Sequence, residues 1–164
     1  MVTDRLIIRE ITLDDIDELY DIYADEEVIK YIDNLYENRE DEIEFTKAYI
    51  KNMYGFYEYG MWIVQKKDGK VIGRAGISNR EVDGESELEI GYLIGKTYQR
   101  HGYGYEAVSA IVNYAFDELE AEKLNCFIRE GNHASEKFAE RLGFEKNSIV
   151  KCEDTEYIRY VRMK

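Results

Sequence analysis

Gln99-Arg100-His101-Gly102-Tyr103-Gly104 separates two segments of different periodicity. Before it, Glu87-Leu88-Glu89-Ile90-Gly91-Tyr92-Leu93-Ile94 alternates apolar residues with others, the period-two pattern of a half-buried strand. After it, Gly104, Ala107, Val108, Ile111, Val112, Ala115 and Leu119 recur at the spacing of a core-facing helical stripe. A strand, a loop with two glycines and a helix start, in that order, build an anion site. Glycine lets a ligand approach the backbone, the first helical N–H groups lack intrahelical partners, and the macrodipole favours negative charge. The loop reads as a holder of phosphate.

Two common phosphate motifs are absent from it. A mononucleotide loop needs G-x-x-x-x-G-K-[ST], and no lysine follows Gly102 or Gly104 at that spacing. The dinucleotide fingerprint G-x-G-x-x-G fails at Ala107. The pattern Q-x-x-G-x-G instead resembles the pyrophosphate loop of the GNAT superfamily of acetyl-CoA-dependent N-acetyltransferases. Thr3-Asp4-Arg5-Leu6-Ile7-Ile8-Arg9 is similar to the first strand of the branch that acetylates ribosomal-protein N-termini, and Glu89-Ile90-Gly91-Tyr92 resembles its fourth strand. Asn132-His133-Ala134-Ser135, followed by Arg141-Leu142-Gly143-Phe144, resembles its last helix and the turn beyond. The matches stand in the family's order and span nearly the whole chain.

The resemblance implies an α+β (mixed α/β) fold, a single N-acetyltransferase domain over residues 1–164. Its central, mostly antiparallel twisted sheet would hold about six to seven strands flanked by about four helices, splayed in the middle to admit acetyl-CoA. The implied activity is transfer of an acetyl group from acetyl-CoA to a primary amine by direct attack in a ternary complex. The acceptor is a protein N-terminus or a small cationic amine. An acetyl-CoA-binding sensor or regulatory module without turnover is the alternative.

Composition agrees. At 164 residues the chain can bury a core but is short for two domains, and no Pro/Gly/Ser-rich linker or repeat divides it. There is no proline at all, for which we have no functional account. No run approaches the roughly 20 apolar residues of a membrane span, and Asp4, Arg5 and Arg9 interrupt the start in a way no signal peptide does. Cys126 and Cys152 form no C-x-x-C pair and read as buried thiols of a cytoplasmic protein. With 35 acidic against 22 basic residues, a net charge of -13 argues against nucleic acid or an anionic membrane as partner. A monomer or homodimer is expected. Much of the acid falls near 14–27 and 37–44, either to attract a cationic acceptor or simply as solvated surface.

Periodicity predicts strands near 3–9, 61–67, 70–81, 86–94, 123–129, 144–152 and 155–163. It predicts helices near 13–25, 38–53, 103–120 and 132–142, with Thr12 and Asn132 as N-caps and Gly143 past the last helix end.

In the family the strand here at 86–94 splays from its neighbour, and backbone groups around Tyr92, Leu93 and Ile94 bond pantetheine and polarise the thioester carbonyl. Such donors dominate acyl-transfer catalysis. Gly91 fits a bulge or close approach, or is a packing glycine. Gln99, Arg100, His101, Gly102, Tyr103 and Gly104 would hold the pyrophosphate through backbone N–H groups. Arg100 and His101 add local positive charge or face solvent. His101 and His133 lie far apart with no Cys or carboxylate at ligand spacing, which argues against a metal.

An ammonium, of pKa about 10.4 if lysine-like, must lose a proton before it attacks. Period two sets Glu87, Glu89 and Gly91 opposite Leu88, Ile90, Tyr92 and Ile94. With the apolar set on the long helix, Glu89 faces the acceptor, where a partly buried carboxylate of raised pKa serves as base directly or through water. The alternative is that Glu89 binds a cation or pairs with an arginine; Glu87 is the second choice for base. For the proton on the departing thiolate, many superfamily members use a tyrosine four residues before the glycine of the G-F pair. Here that residue is Ala139. The ribosomal-protein branch carries a serine at N-x-x-S, which is Ser135. Asn132 caps the helix or bonds the cofactor's amide. Ala134, Phe138 and Leu142 read as a core stripe. Tyr20, Tyr23, Tyr31, Tyr36, Tyr49, Tyr54, Tyr57 and Tyr59 crowd the acceptor half, as a cation–π cradle or as core and rim.

Overall fold

The computed structural model describes residues 1–152 and 154–164. The chain opens with β1 (Leu6–Arg9) and a 3₁₀ turn (Leu13–Asp15). Three helices follow, α1 (Ile16–Tyr23), α2 (Glu26–Ile29) and α3 (Arg39–Tyr49). A wide π-type turn (Ile50–Tyr54) leads into the short α4 (Gly55–Tyr57). Strands β2 (Met61–Lys66), β3 (Val71–Val82) and β4 (Glu85–Ile94) come next, then α5 (Tyr103–Asp117), β5 (Lys123–Arg129) and α6 (His133–Arg141). The chain ends with β6 (Glu145–Cys152) and β7 (Thr155–Met163).

The expected single helix over 13–25 is broken because local hydrogen bonds restart it. Asp15 accepts from both the Thr12 amide and its hydroxyl at 2.7 and 2.9 Å, closing a first turn, and Asp25 caps a separate α2 through the Glu27 amide. Asn38 caps α3 in the same manner. The expected helix to residue 53 instead widens after Tyr49 and stops at Glu58, whose φ of 60° is left-handed.

Among the described residues seven strands lie in one sheet of order β1-β2-β3-β4-β5-β7-β6. Neighbours are antiparallel except β4 and β5, which run parallel and meet at one aligned pair, Glu89 opposite Asn125. β4 stays paired to β3 along its whole length, so the two halves of the sheet part after Glu89. Helix α5 buries Ala107, Val108, Ile111, Val112 and Ala115, the stripe its spacing predicts. On the other side tyrosine hydroxyls act as struts. Tyr54 donates to the Met61 carbonyl at 2.6 Å and Tyr49 accepts from the Met61 amide at 2.6 Å. Strand β3 needs a bare backbone at Gly76, where a Cβ would lie 2.0 Å from the Gly60 carbonyl oxygen.

Two expected core positions are corrected. Ala134 is exposed, because α6 turns its first residues toward an open cleft, and Ala139 with Leu142 supplies the buried contacts instead. Cys126 is buried as expected, while Cys152 is only half-buried on the outermost strand.

Candidate active site

Where β4 and β5 part, a cleft of about 660 Å³ opens. Its walls bring together Tyr92, Leu93, Ile94, Gln99, Arg100, Gly102, Gly104, Asn132 and Ser135. Past Glu89 the β5-facing backbone of β4 has no ladder partner in the sheet, and those groups are available to a ligand lying along the strand.

The Gln99–Gly104 loop is held mainly through side chains and carbonyls; the Gln99 amide is bonded to the Lys96 carbonyl at 3.3 Å. Gln99 donates from Nε2 to the Ile94 carbonyl at 2.9 Å, tying the loop to the end of β4. Arg100 and Gly102 both take left-handed φ, 67° and 83°. Gly102 is the N-cap residue of α5 and offers no side-chain cap, so the first-turn N–H groups stay unclaimed by side chains. His101 turns its Nδ1 back to the Gln99 carbonyl at 2.8 Å, and Tyr103 stacks beneath the Arg5 guanidinium at 4.5 Å. Neither side chain lines the cleft.

A clamp that sequence spacing did not reveal anchors this loop. Glu106, in the first turn of α5, accepts from the Thr3 hydroxyl at 2.6 Å and from the Arg5 amide and Nε at 2.8 and 2.6 Å. Arg5 also donates to the His101 carbonyl at 2.9 Å. Burial pushes the Glu106 carboxyl up, but the bonds from Thr3 and Arg5 outweigh it and hold it below the usual range. Tyr105, Phe138 and Arg141 also line the cleft, with the Arg141 guanidinium 4.5 Å from the Tyr105 ring centre. Helical spacing marks Phe138 only as core, and nothing periodic marks Tyr105 or Arg141, since they meet only when α5 and α6 flank the gap.

On α6, Asn132 Oδ1 accepts from the Ser135 amide at 3.2 Å, confirming it as the cap and leaving its Nδ2 for other work. The Ser135 hydroxyl is not part of that cap.

Glu89 and Glu87 share a face of β4, as period two requires. Glu89 receives two bonds from Arg80, 2.7 Å from Nε and 3.2 Å from Nη2. Burial still raises its carboxyl above the ordinary value, and Arg80 offsets only part of that. The Arg80 guanidinium lies 5.3 Å from the Phe127 ring centre and 4.8 Å from that of Tyr157. Glu87 is engaged by Lys123, Arg159 and Asn125 at 2.7, 2.8 and 3.1 Å. Burial would raise it too, but those partners prevail and hold it low. Glu89 does not line the cleft; it sits at the point where the strands separate.

Comparison with known proteins agrees with this geometry. The family model described as acetyltransferase (GNAT) domain matches residues 5–145. The chain is 29% identical over 155 residues to the uncharacterized N-acetyltransferase YoaA of Bacillus subtilis, covering 91% of this chain and 84% of that protein. It is 26% identical over 159 residues to the [ribosomal protein uS5]-alanine N-acetyltransferase of Escherichia coli, covering 92% and 80%. A solved structure of the ribosomal L7/L12 alpha-N-protein acetyltransferase RimL, in complex with coenzyme A, superposes with a TM-score of 0.79 at 15% identity, covering 99% and 95%. An uncapped helix start, unpaired strand backbone and a cleft between them fit a phosphate-bearing thioester laid along β4. The chain belongs to the GNAT acetyltransferases, a family that uses acetyl-CoA.

Proposed function

We propose that this acetyltransferase acetylates a primary amine, a protein N-terminus or a small cationic amine, by direct attack within a ternary complex and without a metal. The observation that carries the reading is the parting of β4 from β5 directly after Glu89. It leaves Glu89, whose carboxyl burial raises above its ordinary value, at the point where the strands separate, beside rather than within the cleft that would hold the thioester. In this arrangement the backbone of Tyr92, Leu93 and Ile94 holds the donor and polarises its carbonyl, and the first turn of α5 takes the pyrophosphate. Fixing both reactants supplies much of the acceleration. Glu89 receives the amine's proton, directly or through water, and Ser135 delivers one to the departing sulfur. Arg80, itself packed over the Phe127 and Tyr157 rings, orients Glu89.

The test is a mass-spectrometric screen with acetyl-CoA and a panel of N-terminal peptides, polyamines and aminoglycosides. Acetylation of at least one primary amine, with matching release of CoA thiol, is the expected result. Tight acetyl-CoA binding with no acetylated amine would return the chain to a binding module.

A further inference from the structure

The side chain of Tyr92 has a feature that a purely backbone role leaves unexplained. Its ring packs on Phe138 of α6, with centroids 4.3 Å apart and planes tilted by 37°, and the residue lines the cleft. Its hydroxyl is buried and has no hydrogen-bond partner among the described residues. A buried hydroxyl of that kind is costly, and its retention asks what completes it. Arg74 Nε and Arg129 Nε share the condition, but neither of those residues lines the cleft. Ser135 is close enough to influence the phenol's titration, yet no bond of ordinary geometry joins the two. Burial holds the phenol well above its usual value, with Ser135 opposing, so Tyr92 keeps its proton while amines lose theirs. The helix position where many superfamily members carry an acid tyrosine is filled by the buried Ala139.

We propose that Tyr92 is a catalytic residue whose Oη–H donates a hydrogen bond to the sulfur of CoA as the carbon–sulfur bond breaks. This rests on the acetyl-transfer reading above. The amine's lone pair forms the carbon–nitrogen bond, its proton passes to Glu89, and the carbon–sulfur electron pair leaves on sulfur. Tyr92 does not surrender its proton, because the CoA thiolate is a weaker base than a phenolate that burial disfavours. Its dipole, held in place before reaction, stabilises the charge as it appears. The proton that completes the thiol comes through Ser135 or from water.

Tyr92→Phe keeps the ring against Phe138 and removes only the unpartnered hydroxyl, so the variant should fold with an equal or higher Tm. Its kcat should fall roughly tenfold to a hundredfold with little change in the KM for acetyl-CoA. Calorimetry with CoA and with desulfo-CoA, which carries hydrogen in place of the thiol, adds a readout that a packing role would not move. In a pH series carried above the pKa of CoA's own thiol, where the thiolate predominates, the variant should bind CoA roughly tenfold more weakly and desulfo-CoA unchanged. An unchanged kcat, or an equal loss for the two ligands, overturns the proposal. A wild-type chain that tells CoA from desulfo-CoA in this way but acetylates no amine upholds the sulfur contact and defeats the acetyl-transfer reading instead.

Discussion

Glu87 and Glu89 are two positions apart on one strand, and their neighbours drive the carboxyls in opposite directions. Three partners hold Glu87 low, whereas burial wins at Glu89 over a single arginine. A general base must be ionised to act, so the acid limb of the rate profile should lie above the ordinary carboxylate range, set by Glu89. Glu89→Gln cannot accept a proton. Its deficit in kcat/KM should be greatest near neutral pH and narrow as pH rises through the amine's own range, where free amine no longer needs help. A pH series of initial rates measures this; a constant deficit would mean that Glu89 only fixes Arg80. Gly104 offers a second residue-scale test. A Cβ there would lie 3.4 Å from Ile94 and 3.6 Å from Phe138, so alanine fits where a branched chain does not. Gly104→Val should bind acetyl-CoA roughly tenfold or more weakly by calorimetry, since its methyls would occupy the floor of the cleft beside the free amides.

Helix α6 separates stability from chemistry within one turn. The cap is the bond from the Ser135 amide to Asn132 Oδ1, and the Ser135 hydroxyl has no share in it. Asn132→Ala should therefore cost about 1 kcal/mol and lower Tm. Ser135→Ala should leave Tm nearly unchanged and reduce kcat roughly tenfold to a hundredfold. Melting and turnover measured on the same two samples decide it, and a fully active Ser135→Ala removes that hydroxyl from the mechanism. At this scale the sequence was a good guide where one periodicity governs. The strands, the α5 stripe, the loop and the Asn132 cap stand where alternation, helical spacing and cap chemistry place them. It failed where a residue's environment comes from another element. Ala134 shares the helical spacing of Leu142, but the half-turn of α6 above it faces open space. Nothing local marks Glu106 as the partner of Thr3 and Arg5, about a hundred positions away, or Arg80 as the partner of Glu89. The role of the Tyr92 hydroxyl was equally hidden, because an orphaned group is defined by what does not surround it.

Across the whole molecule, part of the acidic excess is structural. Asp15 is buried and takes a bidentate grip from Arg9 at 2.8 and 2.6 Å. Burial pushes its carboxyl up, but Arg9 and Thr12 prevail and hold it low, as Arg5 and Thr3 do for Glu106. Depressed carboxyls stabilise the fold above their unfolded values of about 4, and that contribution is lost as pH falls through the folded values. Asp15→Asn should lower Tm at about pH 7, and the gap to wild type should close as pH falls below about 4. Calorimetric melts across that range measure it, and a gap that persists at low pH would show the loss to be steric. The parting of β4 and β5 has a mechanical consequence as well. Four strands lie on one side of that seam and three on the other, joined within the sheet by the single Glu89–Asn125 pair. A ligand with amides of its own laid along the seam would bond the groups that β5 leaves unpaired past Glu89. On the proposed reading co-substrate would serve there as an added strand, and Tm should climb as its concentration rises.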